Sequence, residues 1–354
     1  MTQAMPFQPV RFEESAKERL AAFLSRGKSR SESVLAALTP DASTREYFRV
    51  RWAGGTAVAA VYPETINPDE HPFLDVTRLF LSADLPVPSI FAVAPELGII
   101  IQEDLGDRQL RDALASATEE QADRLREAAI SLIARIQAAT HRAFELGSIA
   151  CQLAFDEEKL AWELDFFANH YFDRLMTRRF SADEEAEVRG ELLEIARELA
   201  NRPRVLCHRD YHVANLMVDS SNALRIVDYQ DARMGPASYD LVSLLLDRQT
   251  SMPSLATIRT QRLMFLEERR LRGLPDLDPD DFAREFRLMT VQRGLKAVGT
   301  FSNQSLCGRG HVYGQFINPT LAIVLQAMEW LGKFEALRRV IKSCLAEPSP
   351  VIGV

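Results

Sequence analysis

The chain has 354 residues, 47% of them hydrophobic and 26% charged, with a formal net charge of −8. That length exceeds what one core usually serves and predicts two domains, while the acidic balance gives no basic signal for nucleic acid or an anionic membrane. The four cysteines, Cys151, Cys207, Cys307 and Cys344, form no C-x-x-C pair, which excludes an obvious zinc site or disulfide framework and fits a reducing cytoplasm. No apolar run precedes Arg11, Glu13 and Glu14, so no signal peptide is expected. The most apolar region, residues 79–101, is broken by Asp84, Pro86, Pro88, Pro95 and Glu96 and is not expected to span a membrane.

In chain order, residues 11–38 are expected to form two helices. One centres on Phe12, Leu20, Phe23 and Leu24, the other on residues 34–38, with Gly27 and Ser29 between them and Thr39-Pro40 as the stop. From Tyr47 the composition turns to strand, Gly54-Gly55 marks a hairpin, and residues 56–62 are the return strand. Ser43 and Thr44, in a small polar loop ahead of the first strand, offer hydroxyl and amide donors of the kind that cradle a phosphate. Residues 71–83 have helical spacing; residues 87–93 and 97–101 read as two strands joined by Ala94-Pro95-Glu96. The polar, glycine-containing stretch 102–107 then reads as a hinge between lobes, with backbone groups able to pair with an adenine edge.

Beyond Asp107 the periodicity is helical. Residues 115–139, 155–172 and 182–200 are expected to be long helices, with Leu132, Ile133, Ile136, Trp162, Phe166 and Phe167 as core candidates. Residues 253–271, 279–302 and 319–345 continue the pattern, with a Cys307-Gly308-Arg309-Gly310 loop before the last. The expected fold class is α+β: a small mixed N-terminal lobe with an antiparallel sheet, residues 1–105, and a larger, mainly helical C-terminal lobe, residues 106–354.

One stretch interrupts the helices. His208-Arg209-Asp210 is followed after four residues by Asn215, the H-R-D-x-x-x-x-N pattern of a kinase catalytic loop. Short apolar runs at 205–207, 216–218 and 224–227 read as strands that hold the polar residues at their ends. Phosphoryl transfer needs positioning more than covalent chemistry. In this pattern Asp210 accepts the proton of an acceptor hydroxyl, and Asn215 and Asp228 hold Mg²⁺ with hard oxygen ligands. Asp240, in the first turn of an apolar helix, is expected to brace the loop through His208 or Arg209.

Taken together, these segments resemble the aminoglycoside phosphotransferase and choline kinase superfamily over roughly residues 30–345. Asp41-Ala42-Ser43-Thr44-Arg45-Glu46-Tyr47-Phe48-Arg49 is similar to a segment of the bacterial cell-wall amino-sugar kinases. His208-Arg209-Asp210-Tyr211-His212, Asp228-Tyr229-Gln230-Asp231-Ala232 and Gln292-Arg293-Gly294-Leu295-Lys296 are similar to three more. The resemblance implies an ATP- and Mg²⁺-dependent kinase acting on the anomeric hydroxyl of N-acetylmuramate or N-acetylglucosamine. It implies Asp210 as base, Asn215 and Asp228 as metal ligands, Ser43, Thr44 and Arg45 over the phosphates, and Glu103 with Leu105 at the adenine hinge.

Gln230, Asp231 and Arg233 follow the metal-binding Asp and are acceptor candidates, Asp231 for hydroxyls and Arg233 for a muramic acid carboxylate. Arg293 and Lys296, three apart on one helix, and Tyr211 and His212 complete the candidate acceptor set. The general kinase pattern also has a strand Lys, yet Lys17 and Lys28 are the lysines of residues 1–106 and both precede the sheet. Arg45 and Arg49 are the candidate replacements. Kinases of other small alcohols (choline, homoserine, an aminoglycoside) and a nucleotide-binding pseudokinase are the competing readings. The expected partner is a small-molecule acceptor, with no nucleic acid and no membrane.

Overall fold

The computed structural model describes residues 7–26, 33–38, 45–248 and 253–346. It divides into two compact units, Met1–Ser116 with Ala214–Gln230, and Ala117–Val213 with Asp231–Val354.

The first unit is built on a five-stranded antiparallel sheet of β1 (Ser33–Leu38), β2 (Glu46–Trp52), β3 (Gly55–Val61), β4 (Ile90–Ala94) and β5 (Ile99–Glu103), in the order β1-β2-β3-β5-β4. In β2, Phe48 and Val50 point inward while the half-buried Tyr47 and Arg49 and the exposed Arg51 alternate with them, the period of two that a half-covered strand requires. The β2–β3 hairpin closes through Ala53 and Gly54, both with positive φ (48° and 85°). That backbone matches the strand twist and is easiest for glycine. Helix Ala16–Arg26 lays Ala16, Leu20 and Leu24 on one face of the sheet, against Phe48, Val50, Ala57, Ala59, Val61, Ile99 and Ile101.

Two expectations for this region change. Residues 34–38, read as a helix, lie in the edge strand β1, which pairs with β2 from Ser33↔Arg51 to Leu38↔Tyr47. Five apolar residues are too few to sustain a helix nucleus, whereas the β2 edge satisfies their backbone. The strand expected at 87–93 begins at Ile90, and a 3₁₀ turn at Pro95–Leu97 links it to β5.

The same unit includes the hairpin of strands Leu216–Val218 and Leu224–Ile226. Its backbone is tied down by Val218 N–H to the Arg108 carbonyl (2.8 Å) and Ile226 N–H to the Pro86 carbonyl (2.8 Å). Just beyond it, Tyr229 is fully buried, stacked on Phe73 (5.4 Å) and beside Phe80 (5.2 Å), with its hydroxyl on Thr77 Oγ1 (2.9 Å). Those three partners belong to helix Pro72–Ser82.

The second unit is helical around one small pairing, strand Arg204–Cys207 antiparallel to strand Arg233–Pro236, with Cys207 opposite Arg233. The second strand lay unread in the sequence because its Arg-Met-Gly-Pro composition carries no strand signal. Side chains of Thr118, Asp156, Ser181 and Asp278 cap four of the helices. Thr118 with Gln121 forms a full capping box, which starts a helix at Glu119 and divides the segment expected at 115–139.

Helix Pro279–Gln304 is buried along most of its length. At Gly299 an added Cβ would lie 2.7 Å from the Phe167 Cα, so the close approach to helix Glu157–Phe167 depends on that missing side chain. Leu132, Ile133, Ile136 and Phe167 are buried as expected, but Phe166 is half-buried and Trp162 is 57% exposed. The segment 319–345 is two helices, Ile317–Leu331 and Glu335–Ala346, separated at Gly332 with φ 63°. The helical path breaks at the expected Cys307-Gly308 position, where Cys307 (φ −86°, ψ 18°) and Gly308 (φ 86°, ψ 7°) leave helical geometry and kink the chain before the next short helix. Among the described residues no helix is long and apolar enough to cross a membrane, and the four cysteines are unbridged.

Candidate active site

In the second unit the H-R-D segment leaves strand Arg204–Cys207 and turns at Arg209, whose φ of 84° is rare for a residue with a side chain. Both sides of that turn are held. Asp240, fully buried at the start of helix Tyr239–Leu246, accepts from the His208 N–H (2.7 Å) and the Arg209 N–H (3.0 Å). Asp240 therefore braces the loop through its backbone amides. Arg293 donates to the Arg209 carbonyl (2.9 Å), to Ser243 Oγ (2.9 Å) and to Asp247 Oδ2 (2.6 Å), with its guanidinium 4.3 Å from the Tyr239 ring centroid. Burial pushes the Asp240 carboxyl up; the His208 charge, the two amide hydrogen bonds and Arg293 work against that rise.

Asp210 emerges from this frame with 29% of its side chain exposed. Lys296 Nζ and Arg209 each stand 3.9 Å from one of its carboxylate oxygens. Burial alone would raise its pKa, but Lys296, Arg209, Arg293 and His208 outweigh it and hold the carboxyl well below the usual range. Asp231 pairs with Arg209 at 2.8 Å and lies 3.8 Å from Arg233.

The remaining acceptor candidates divide by accessibility. Tyr211 is fully buried and its hydroxyl donates to the Ala129 carbonyl (2.9 Å), so it supports the loop from the core and offers no surface to an acceptor. Arg293, 3% exposed, is likewise a brace. Arg233 is 9% exposed, donates from Nε to the Asp231 carbonyl (3.1 Å) and lies over Phe155. Lys296, Asp231 and the half-buried His212 keep accessible surface. Burial lowers the His212 pKa, so the ring is neutral at neutral pH.

In the first unit, Asn215 and Asp228 lie at the two ends of the hairpin. The Asn215 Nδ2 donates to Asp228 Oδ2 at 3.3 Å, and the Gln230 Nε2 donates to Asp228 Oδ1 at 2.9 Å. Val227 N–H donates to the Asn215 carbonyl (3.1 Å), and Asp228 takes φ 63°, held by buried Tyr229 next to it. The Asp228 carboxylate and the side-chain amide of Asn215 beside it, whose oxygen is the group that would ligate, fit Mg²⁺, which takes one or two protein ligands and leaves its other positions to phosphate and water. Among the described residues no cluster of three or more His, Cys, Asp or Glu is placed to hold a metal ion.

Ser43 and Thr44 lie outside the described residues. Arg45 is described: its guanidinium donates to the Tyr62 hydroxyl (3.4 Å), sits 5.8 Å from the Tyr47 ring and feels the Asp228 charge. Arg49 is committed elsewhere, forked onto Asp104 (2.8 and 3.1 Å) and Asp107 (2.8 and 3.0 Å), which removes it as a phosphate cation. Glu103 donates its N–H to the Ser89 carbonyl, and its carboxylate takes a two-point contact from Arg225 (2.7 and 2.9 Å). Any hinge contact it makes must therefore come from its backbone carbonyl, with half-buried Leu105 two residues on. Arg225 was invisible to sequence reasoning because its partner is 122 residues away.

An antiparallel-sheet unit and a helical unit, with a braced H-R-D loop in the latter, define a kinase-like phosphotransferase fold. The chain belongs to the phosphotransferase enzyme family, whose model matches residues 34–279, and it is a small-molecule kinase. It is 33% identical over 274 residues to the N-acetylmuramate/N-acetylglucosamine kinase of Pseudomonas aeruginosa, spanning 76% of this chain and 75% of that one. The fold is shared with the choline kinase of Streptococcus pneumoniae (TM-score 0.57, 12% identity, 90% of this chain and 98% of that one). It is also shared with an aminoglycoside phosphotransferase (TM-score 0.54, 18% identity, 87% and 98%).

Proposed function

We propose that the protein transfers the γ-phosphoryl group of ATP to the anomeric hydroxyl of N-acetylmuramate or N-acetylglucosamine, in the cytoplasm. The identity to the Pseudomonas aeruginosa kinase supports the substrate class. The observation that carries it is the charge around the base: Lys296 and Arg209 attend Asp210, and Arg209 and Arg233 attend Asp231. A cationic acceptor such as choline or an aminoglycoside wants unneutralised carboxylates, whereas a neutral or acidic sugar is at home beside these cations.

In this reading residues 1–105 serve the nucleotide, and residues 106–354 carry the catalytic loop and the acceptor. Arg45 with the Ser43-Thr44 loop attends the phosphates, and the Glu103 and Leu105 backbone takes the adenine edge. Asn215 and Asp228 hold Mg²⁺, which when bound neutralises charge on the transferring phosphoryl group. Asp210, held anionic by its cations, orients the sugar hydroxyl and accepts its proton as the O–P bond forms. Asp231, His212 and Lys296 contact the sugar, and Gln230 steadies the Asp228 carboxylate.

ATP consumption across a panel of amino sugars, choline, homoserine and aminoglycosides, with detection of an acid-labile sugar 1-phosphate, tests this. Asp210→Asn is expected to lower kcat by at least about 10³-fold while nucleotide affinity stays within about twofold. Turnover at the wild-type rate in that variant would remove Asp210 as the base, and turnover of choline alone would remove the sugar.

A further inference from the structure

Lys296 rises from helix Pro279–Gln304, on the same side as Arg293 one turn earlier. The helix is fixed around it. Arg293 donates to the Arg209 carbonyl (2.9 Å), Gln292 donates to buried Glu163 (2.8 Å), and Gly299 closes on Phe167. From this rigid base the Lys296 ammonium reaches the catalytic loop and stands 3.9 Å from Asp210 Oδ1. That is beyond hydrogen-bond distance. Asp210 is the carboxylate within ion-pair reach of Lys296 among the described residues, and 23% of the Lys296 side chain stays exposed. Its N–H donors are therefore open to an arriving oxygen.

The other charged groups around the base are committed. Arg209 lies 3.9 Å from Asp210 Oδ2 but pairs with Asp231 at 2.8 Å. Arg293 is buried on Asp247, Ser243 and the Arg209 carbonyl. His212, two residues after the base, is kept neutral by burial. A cation beside a base has a cost, because it weakens the proton acceptor. Against burial, which raises the Asp210 pKa, Lys296 is the largest of the charges that lower it. That cost is tolerable in phosphoryl transfer, where the transition state is loose and negative charge sits on the oxygens of the transferring group. Those oxygens must come close to Lys296. An acceptor hydroxyl bound to Asp210 lies about 2.6–3.2 Å from its carboxylate, and the phosphorus it attacks lies about 3–3.5 Å beyond that. An ammonium 3.9 Å from the same carboxylate, on a flexible stem, has both within reach.

We propose that Lys296 is a catalytic residue whose ammonium donates to a peripheral oxygen of the transferring phosphoryl group and stabilises the transition state. It supplies, beside the base, positive charge that the general kinase pattern draws from a strand Lys. The sugar O–H proton passes to Asp210 as the new O–P bond forms. The bond from that phosphorus to the β–γ bridging oxygen breaks, and its electron pair leaves with ADP. Lys296 stays protonated throughout. This rests on the phosphoryl-transfer reading and takes Lys296 from a sugar contact to the reacting atoms.

The test compares wild type, Lys296→Met and Lys296→Arg on N-acetylmuramate and N-acetylglucosamine, with urea midpoints measured alongside. Lys296→Met is expected to lower kcat about 10²- to 10³-fold on both sugars, with KM for sugar and for ATP within about threefold. Lys296→Arg should recover about tenfold or more of that loss, and the urea midpoint should stay at the wild-type value in both variants. Wild-type kcat in Lys296→Met would overturn the assignment. So would a rise in KM confined to N-acetylmuramate, which would make Lys296 a carboxylate contact. A kcat loss that tracks a lowered urea midpoint and is not recovered by Arg would make it structural. A wild-type enzyme that phosphorylates no acceptor would instead sink the proposed function, and this inference with it.

Discussion

Replacing Asp240 with Asn is the sharpest probe of how the loop is held. One carboxylate accepts two backbone amides, at 2.7 and 3.0 Å, from a fully buried position. The isosteric amide has one oxygen. It satisfies one N–H and turns its own NH₂ toward the other, leaving a buried donor unpaired at a cost of about 1–3 kcal/mol. Loss of charge assistance in the surviving bond adds about 1 kcal/mol. Against this stands relief of the desolvation that raises the Asp240 pKa. The net expectation is a loss of about 2–3 kcal/mol in urea unfolding.

Catalysis should suffer more than stability. Arg209 sits at φ 84°, a conformation costing about 1–3 kcal/mol that persists only under such restraint. If it relaxes, the adjacent Asp210 moves. A displacement of about 1 Å lowers kcat by about 10²-fold, with little change in nucleotide affinity. Urea midpoints and steady-state kinetics of Asp240→Asn measure both. A variant with wild-type stability and wild-type kcat would refute the bracing role.

Arg45 and Arg49 should separate cleanly. Arg45→Met is expected to lower kcat by about 10²-fold with little effect on stability, as loss of a transition-state cation does. Arg49→Met should instead strand mostly buried Asp104 and cost about 1–3 kcal/mol in unfolding with ATP affinity nearly kept; the opposite pattern would exchange their roles. His71, edge-on to Tyr62 at 4.7 Å and near Arg45, has its pKa lowered to about 4 by burial and the Arg45 charge. Between about pH 6.5 and 4 the unfolded chain binds a proton that the native ring refuses, so stability falls as pH drops through that window. After solvent screening of the half-buried ring the loss is about 1–2 kcal/mol. Unfolding curves of His71→Phe at pH 7 and pH 4.5 should lack this component; an identical pH dependence in wild type and variant would show that His71 does not contribute it.

The candidate chemistry-bearing residues stand out in the sequence because their spacing is local. Asp210 and Asn215 are separated by four residues, and the apolar runs beside them are the strands Arg204–Cys207 and Leu216–Val218. Hairpin glycines, helix caps and two-residue alternation in Glu46–Trp52 are likewise short-range signals. What the sequence left open depends on partners far along the chain. Edge strand Ser33–Leu38 exists because Glu46–Trp52 offers it a hydrogen-bonding edge, and its own five apolar residues say only that something is buried. Trp162 was expected in the core because periodicity marks a face without saying which neighbours cover it.

Four of the five sheet strands and most of the helices were thus legible in composition and spacing. The allocation of charges was decided by tertiary structure. Arg49 was a phosphate candidate until Asp104 and Asp107 were found on it, and Arg293 an acceptor residue until its guanidinium was found on the Arg209 carbonyl. A guanidinium's role depends on which oxygen lies within 3 Å of it, and sequence spacing constrains that only within a helix turn or a hairpin.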